Sequence, residues 1–155
     1  YRLGKNINRQ DYTAVGYSGV PPLTIIDEDV YTWNFNEGKI DWRYPNNLDF
    51  TLYRKAQMKH RIQSLKFINP NHFEGSWARR APKRGLGVCH GLSCIINIPM
   101  NRVNTTHPNA EIGNFSAEEL NELFLAGKKI DIRSINPALI ESVHQDMHFN
   151  FTNRE

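Results

Sequence analysis

VYTWNFNEGKIDWRY, residues 30–44, alternates apolar and polar side chains on both sides of Asn36-Glu37-Gly38. Period-two alternation around a turn signal predicts a β-hairpin. With Phe35 opposite Ile40, Trp33 faces Trp42 and Tyr31 faces Tyr44. One side of the hairpin then carries an aromatic ladder, and Thr32, Asn34, Asp41 and Arg43 line the other. Aromatic stripes of this kind build cores far more often than ligand platforms.

Helical signals flank this hairpin. Residues 51–66, TLYRKAQMKHRIQSLK, place Leu52, Ala56, Ile62 and Leu65 roughly on one side of a helix that Asn69-Pro70 ends. Residues 69–87 are rich in breakers and read as a long surface loop. In FSAEELNELFLAG, Ser116 and Glu119 form a capping box, Phe115 can staple Leu120, and Gly127 follows the last turn. A strand over KKIDIRSI follows, and Asn136-Pro137 opens a last helix through ALIESVHQDMHF. The sum is an α+β fold: a mixed sheet of two or more hairpins with about three helices. The 155 residues suit one domain spanning 1–155.

Composition narrows the function classes. At 39% apolar and 23% charged the chain is globular, and no apolar run nears the roughly 18–20 residues of a membrane span. It opens at Tyr1 without a secretion signal or initiator methionine, which points to a piece of a longer polypeptide. The net charge of +3 is unevenly spread: residues 51–86 hold nine Lys and Arg against Glu74 alone. Such a block suits phosphates or an acidic protein surface. Three Asn-x-Ser/Thr sequons, at Asn104, Asn114 and Asn150, arise readily in an Asn-rich chain and carry no argument.

Both cysteines lie in GVCHGLSCIINIPMNRVNTTH, residues 87–107. Five positions apart, they make a poor disulfide framework and read as free thiols. As a hairpin, Ile95–Ile98 forms one strand, Pro99–Arg102 the connection and Val103–Thr106 the return, with Ile98 against Val103. That register sets Cys94 opposite His107. Cross-strand partners share a face with Cβ atoms about 4.5–5.5 Å apart, and an imidazole there favours the nucleophilic thiolate. The alternative reading is a core strand that begins with a cysteine.

Gly91-Leu92-Ser93-Cys94, followed by an apolar strand, a turn and His107, resembles the cytotoxic necrotizing factor type of bacterial toxin. That group is similar to other lethal-factor toxins and to chemoreceptor glutamine deamidases. The resemblance implies cofactor-free removal of ammonia from a glutamine of a host protein, with Cys94 as nucleophile and His107 as general acid and base. It further implies a secreted or delivered effector acting in the target-cell cytosol. The glycine that the family places between Ser and Cys is absent here.

Gly87-Val88-Cys89-His90-Gly91-Leu92-Ser93 resembles instead the start of papain-like effector proteases and cell-wall peptidases. There the cysteine opens a helix whose dipole lowers its pKa. In that reading Cys89 is the nucleophile, His144 or His148 the base, and Asn150 an orienting residue.

Other constellations carry less. His144 and His148 share a face of the expected last helix, with Glu141 one turn back, but Gln145 stands where a metalloprotease places its glutamate, so no metal is assigned. His60 and His72, with nearby lysines, would serve a metal-independent ribonuclease, the one reading in which nucleic acid is a partner. A basic binding module is the non-enzymatic alternative. Arg79, Arg80, Lys83 and Arg84 are the residues expected to dock an acidic surface of a target protein.

Overall fold

The computed structural model describes residues 2–9, 19–80, 85–101 and 113–155. The expected α+β class holds: three helices and two small antiparallel sheets are formed among these residues. The first sheet has the order β1 (Thr24–Asp27), β2 (Val30–Asn34), β3 (Leu86–His90). Trp33 pairs with Gly87, and Tyr31 with Cys89. The pleat therefore sends Trp33, Gly87 and Cys89 into the core, while Leu86 and Val88 face solvent.

The second arm of the expected 30–44 hairpin is not a strand. Residues Ile40–Arg43 form a 3-10 turn, with Ile40 in the left-handed region at φ 49°. A strand has two hydrogen-bonding edges, and β1 and β3 occupy both edges of β2. The expected Trp33–Trp42 contact nevertheless exists, edge to face at 4.9 Å. It is fixed by indole donors: Trp33 Nε1 donates to the Trp42 carbonyl at 2.8 Å, and Trp42 Nε1 to that of Ile7 at 2.9 Å. Ile7, Trp33, Trp42, Cys89, Ile140 and Val143 make the main core.

A second apolar cluster joins Leu65, Phe73 and Trp77, with Leu48, Tyr53 and Met58 against it. It is built by α1 (Lys55–Ser64) and α2 (Pro70–Ala78). The expected surface loop over 69–87 is thus corrected: its first half is a helix. Asn69-Pro70 does stop α1, but the same pair starts α2. The Asn69 side chain accepts from the His72 amide at 2.8 Å, and Pro70 takes the first helical position. Of the apolar stripe expected on the first helix only Leu65, at its C-terminal end, is buried; Ala56 and Ile62 are exposed, and Leu52 before the helix is 92% exposed.

The capping box forms as expected on α3 (Ala117–Leu125). Ser116 Oγ accepts from the Glu119 amide at 3.1 Å, and Glu119 returns a carboxylate to the Ser116 amide at 2.7 Å. Beyond Gly127, β4 (Lys128–Ile130) pairs with β5 (Phe151–Asn153). The expected last helix amounts only to a 3-10 turn, Pro137–Leu139. Gln145 explains why: its carboxamide oxygen accepts from the amides of Glu141 and Ser142, and its nitrogen donates to the Leu139 carbonyl. These backbone groups are satisfied by a side chain instead of by a helical ladder.

Residues Ile95–Ile98 make no ladder strand. A single parallel bridge joins Asn97 to His144, through Asn97 N to the Val143 carbonyl and Gln145 N to the Asn97 carbonyl. The expected return strand Val103–Thr106, and His107 with it, lie outside the described residues, as do Lys83 and Arg84.

Candidate functional site

The two cysteines end in opposite environments. Cys89 is on β3, where the pleat turns it inward; it is 1% exposed, and burial pushes its thiol up to about 11. Cys94 lies four residues past the end of the strand and is exposed. Its sulfur is 3.9 Å from the Leu92 carbonyl.

The backbone leading to Cys94 is held from several directions. After β3, Gly91 N donates to the Asp29 carbonyl, and the Gly91 carbonyl accepts from Lys5 N at 2.9 Å. Ser93 is fully buried. Its amide donates to Asn6 Oδ1 at 2.8 Å, and its hydroxyl to the Arg2 carbonyl, also at 2.8 Å. Asn6 Nδ2 in turn donates to the Ile140 carbonyl at 2.7 Å. Gly4 makes this clamp sterically accessible: a Cβ there would stand 2.2 Å from Ser93 N. Ser93 therefore acts as a rivet, and the next residue projects its thiol to solvent.

Arg2 connects this clamp to a polar group behind it. Its guanidinium pairs with Asp41 at 2.8 Å, with both side chains nearly buried. Arg2 also lines an open cleft of about 250 Å3 together with Trp33, Tyr44, Asn47, Phe50 and Val88. Phe50 is held at φ 53° beside it.

His144 is drawn to Asn97 by the parallel bridge. Its Nε2 is 3.6 Å from Asp49 Oδ2, which also accepts from Asn97 Nδ2 at 3.4 Å. Burial holds the imidazole below its ordinary pKa, with the Asp49 charge opposing. Sequence reading singled out His144 but not its partners Asp49 and Asn97, because the three are far apart in the chain and no local motif links them. The bridge at Asn97 brings them together.

The helix start required by the papain-like reading is corrected: Cys89 is mid-strand rather than at a helix start, and its thiol is raised rather than lowered. His144 and His148 do not share a helical face, because that helix is absent. Asn150 is exposed just before β5, where its carbonyl accepts from Asp131 N. Glu141, expected one turn from His144, pairs with Arg9 at 2.9 Å. Among the described residues no three His, Cys, Asp or Glu side chains converge as a metal site would require.

Arg79 and Arg80 are exposed just past α2, and Arg79 also donates to Ser76 Oγ. His60 is exposed on α1, while His72 is half-buried in the first turn of α2. No helix among the described residues is long and apolar enough to cross a membrane. Compared with known proteins, the chain matches no family model, no curated protein and no solved structure.

Proposed function

We propose that this chain is a thiol-dependent hydrolase that converts a glutamine side chain of a target protein to glutamate. We place it as the effector part of a larger bacterial toxin, delivered to the target-cell cytosol. The observation that carries the reading is the contrast between the two thiols: Cys94 is exposed directly after the anchored Ser93, whereas Cys89 is sealed in the core. The resemblance of residues 91–107 to glutamine deamidase toxins supplies the reaction class.

In the proposed mechanism the Cys94 thiolate adds to the glutamine carboxamide carbon. His107 gives a proton to the departing nitrogen, ammonia leaves, and a thioester remains. His107 then takes a proton from water, whose oxygen attacks the thioester; glutamate forms and the thiol is restored. An amine in place of water would give transamidation. The reaction needs no cofactor. Arg79, Arg80, Lys83 and Arg84 dock an acidic face of the target.

Intact-mass measurement of target proteins tests the reading. Wild-type chain and Cys89→Ala should each add about one dalton per deamidated glutamine, while Cys94→Ala and His107→Ala should add none. Cleavage of the target, or product that persists in Cys94→Ala, refutes it. An activity on RNA that survives both cysteine changes and is lost at His60 or His72 would also do so.

A further inference from the structure

The basic helix α1 has a surface that the thiol chemistry does not use. Between Phe50 and Phe73 the chain carries five Lys and Arg and no carboxylate. Met58 and Leu65, seven positions apart, turn toward the Phe73–Trp77 cluster. Lys55, Lys59 and Ile62 succeed one another along a neighbouring stripe, all exposed. No carboxylate lies within this segment, so its excess of cations suits an anionic partner.

The ends of the helix add a second requirement. Leu52, before the first turn, is 92% exposed; Ile68, after the last, is 86% exposed. Phe50 and Phe67 are exposed beside them, and Ile62 stands between the two ends. Exposed apolar side chains at both ends of a cationic helix suit a partner that is both negatively charged and able to take up aliphatic groups. A nucleic acid could stack on Phe50 and Phe67 but gains little from the aliphatic members of the group, Leu52, Ile62 and Ile68, of which Leu52 and Ile68 are the more exposed at the two ends. An anionic lipid surface meets both: lysines pair with headgroups while apolar side chains enter the boundary with the acyl chains.

We propose that α1, with its flanking segments 50–52 and 67–68, docks on an anionic bilayer surface. The helix lies along the headgroups, with Lys55, Lys59 and Lys66 on phosphates or carboxylates and Leu52 and Ile68 dipping beneath them. The docking is peripheral and electrostatically triggered, and added salt weakens it. It is independent of Cys94, so it stands or falls separately from the proposed reaction.

Vesicle sedimentation of the 155-residue chain tests this, using phosphatidylcholine alone and phosphatidylcholine with roughly a third phosphatidylserine. Binding is expected only to the mixed vesicles. Each cation contributes about five-fold to partitioning, so Lys55→Gln/Lys59→Gln/Lys66→Gln should lose roughly 100-fold. Leu52→Ser/Ile68→Ser should also weaken binding, with the tryptophan fluorescence of the core unchanged. Lys128→Gln/Lys129→Gln, on β4, should bind as wild type. Equal binding to neutral vesicles overturns the proposal, as does indifference to the two aliphatic changes. Preferential binding of single-stranded RNA or of an acidic protein, with no partitioning to phosphatidylserine vesicles, overturns it as well.

Discussion

Alkylation of the folded chain by iodoacetamide at neutral pH should modify Cys94 and leave Cys89 intact. The thiolate is the reacting form. With its thiol pushed up to about 11, Cys89 is ionised in about one molecule in ten thousand at pH 7, against about 3% for a free cysteine. That alone slows its reaction roughly 300-fold, before its 1% exposure adds the requirement that β3 open first. The same shift has a consequence for stability. The folded pKa lies above the unfolded value of about 8.5, so the stabilisation is complete below pH 8.5 and is lost as pH rises toward about 11. Its size is on the order of 3 kcal/mol. Peptide mapping of the alkylated chain reads the first effect. Urea unfolding from neutral to alkaline pH, wild type against Cys89→Ala, reads the second, and the variant should show a shallower alkaline decline. Comparable labelling of both cysteines in the folded chain, or identical alkaline slopes, would refute the burial of Cys89.

Gly87→Ala should destabilise the chain by about 3 kcal/mol, because the new Cβ would stand 2.2 Å from the Trp33 ring and force it off Trp42; thermal unfolding checks this. His144 is held below its ordinary pKa, so the unfolded chain takes up that proton first. Stability should therefore fall as pH drops below about 6.5, and His144→Asn should flatten this acid limb in urea titrations between about pH 7.5 and 5.5. An unchanged acid limb in the variant would place the titration elsewhere.

The elements most legible in the sequence were those whose signals are local. The Ser116–Glu119 box needs only four consecutive positions to satisfy two backbone amides, and it forms as expected. The α+β class follows from the switch between period-two and helical patterning. Where one signal allowed two outcomes, local reading chose wrongly. Asn69-Pro70 ends one helix and begins the next, and only the burial of Phe73 and Trp77 against Leu65 shows that the second helix exists. Of the aromatic residues in the 30–44 stretch, Trp33 and Trp42 are core as expected, Tyr31 and Phe35 pack against them, and Tyr44 lines the cleft instead; the partner of β2 is not the expected one. β3 lies more than fifty residues further along the chain, and no turn signal announces a pairing over that distance.

The candidate site divides the same way. That Cys89 and Cys94 are free thiols is written in their spacing. Which of them reaches solvent is not. Alternation along β3 makes Cys89 an inward position only once Tyr31 is its partner, and Asn6 and Arg2, from the opposite end of the chain, rivet Ser93 so that Cys94 points out. The sequence by itself determined the place of Trp33 and Trp42 in the core, the capped helix and the excess of cations around α1. The tertiary structure alone decided which thiol is sealed and which is presented, because burial depends on contacts between residues distant in the chain, whereas propensity and capping depend on neighbours.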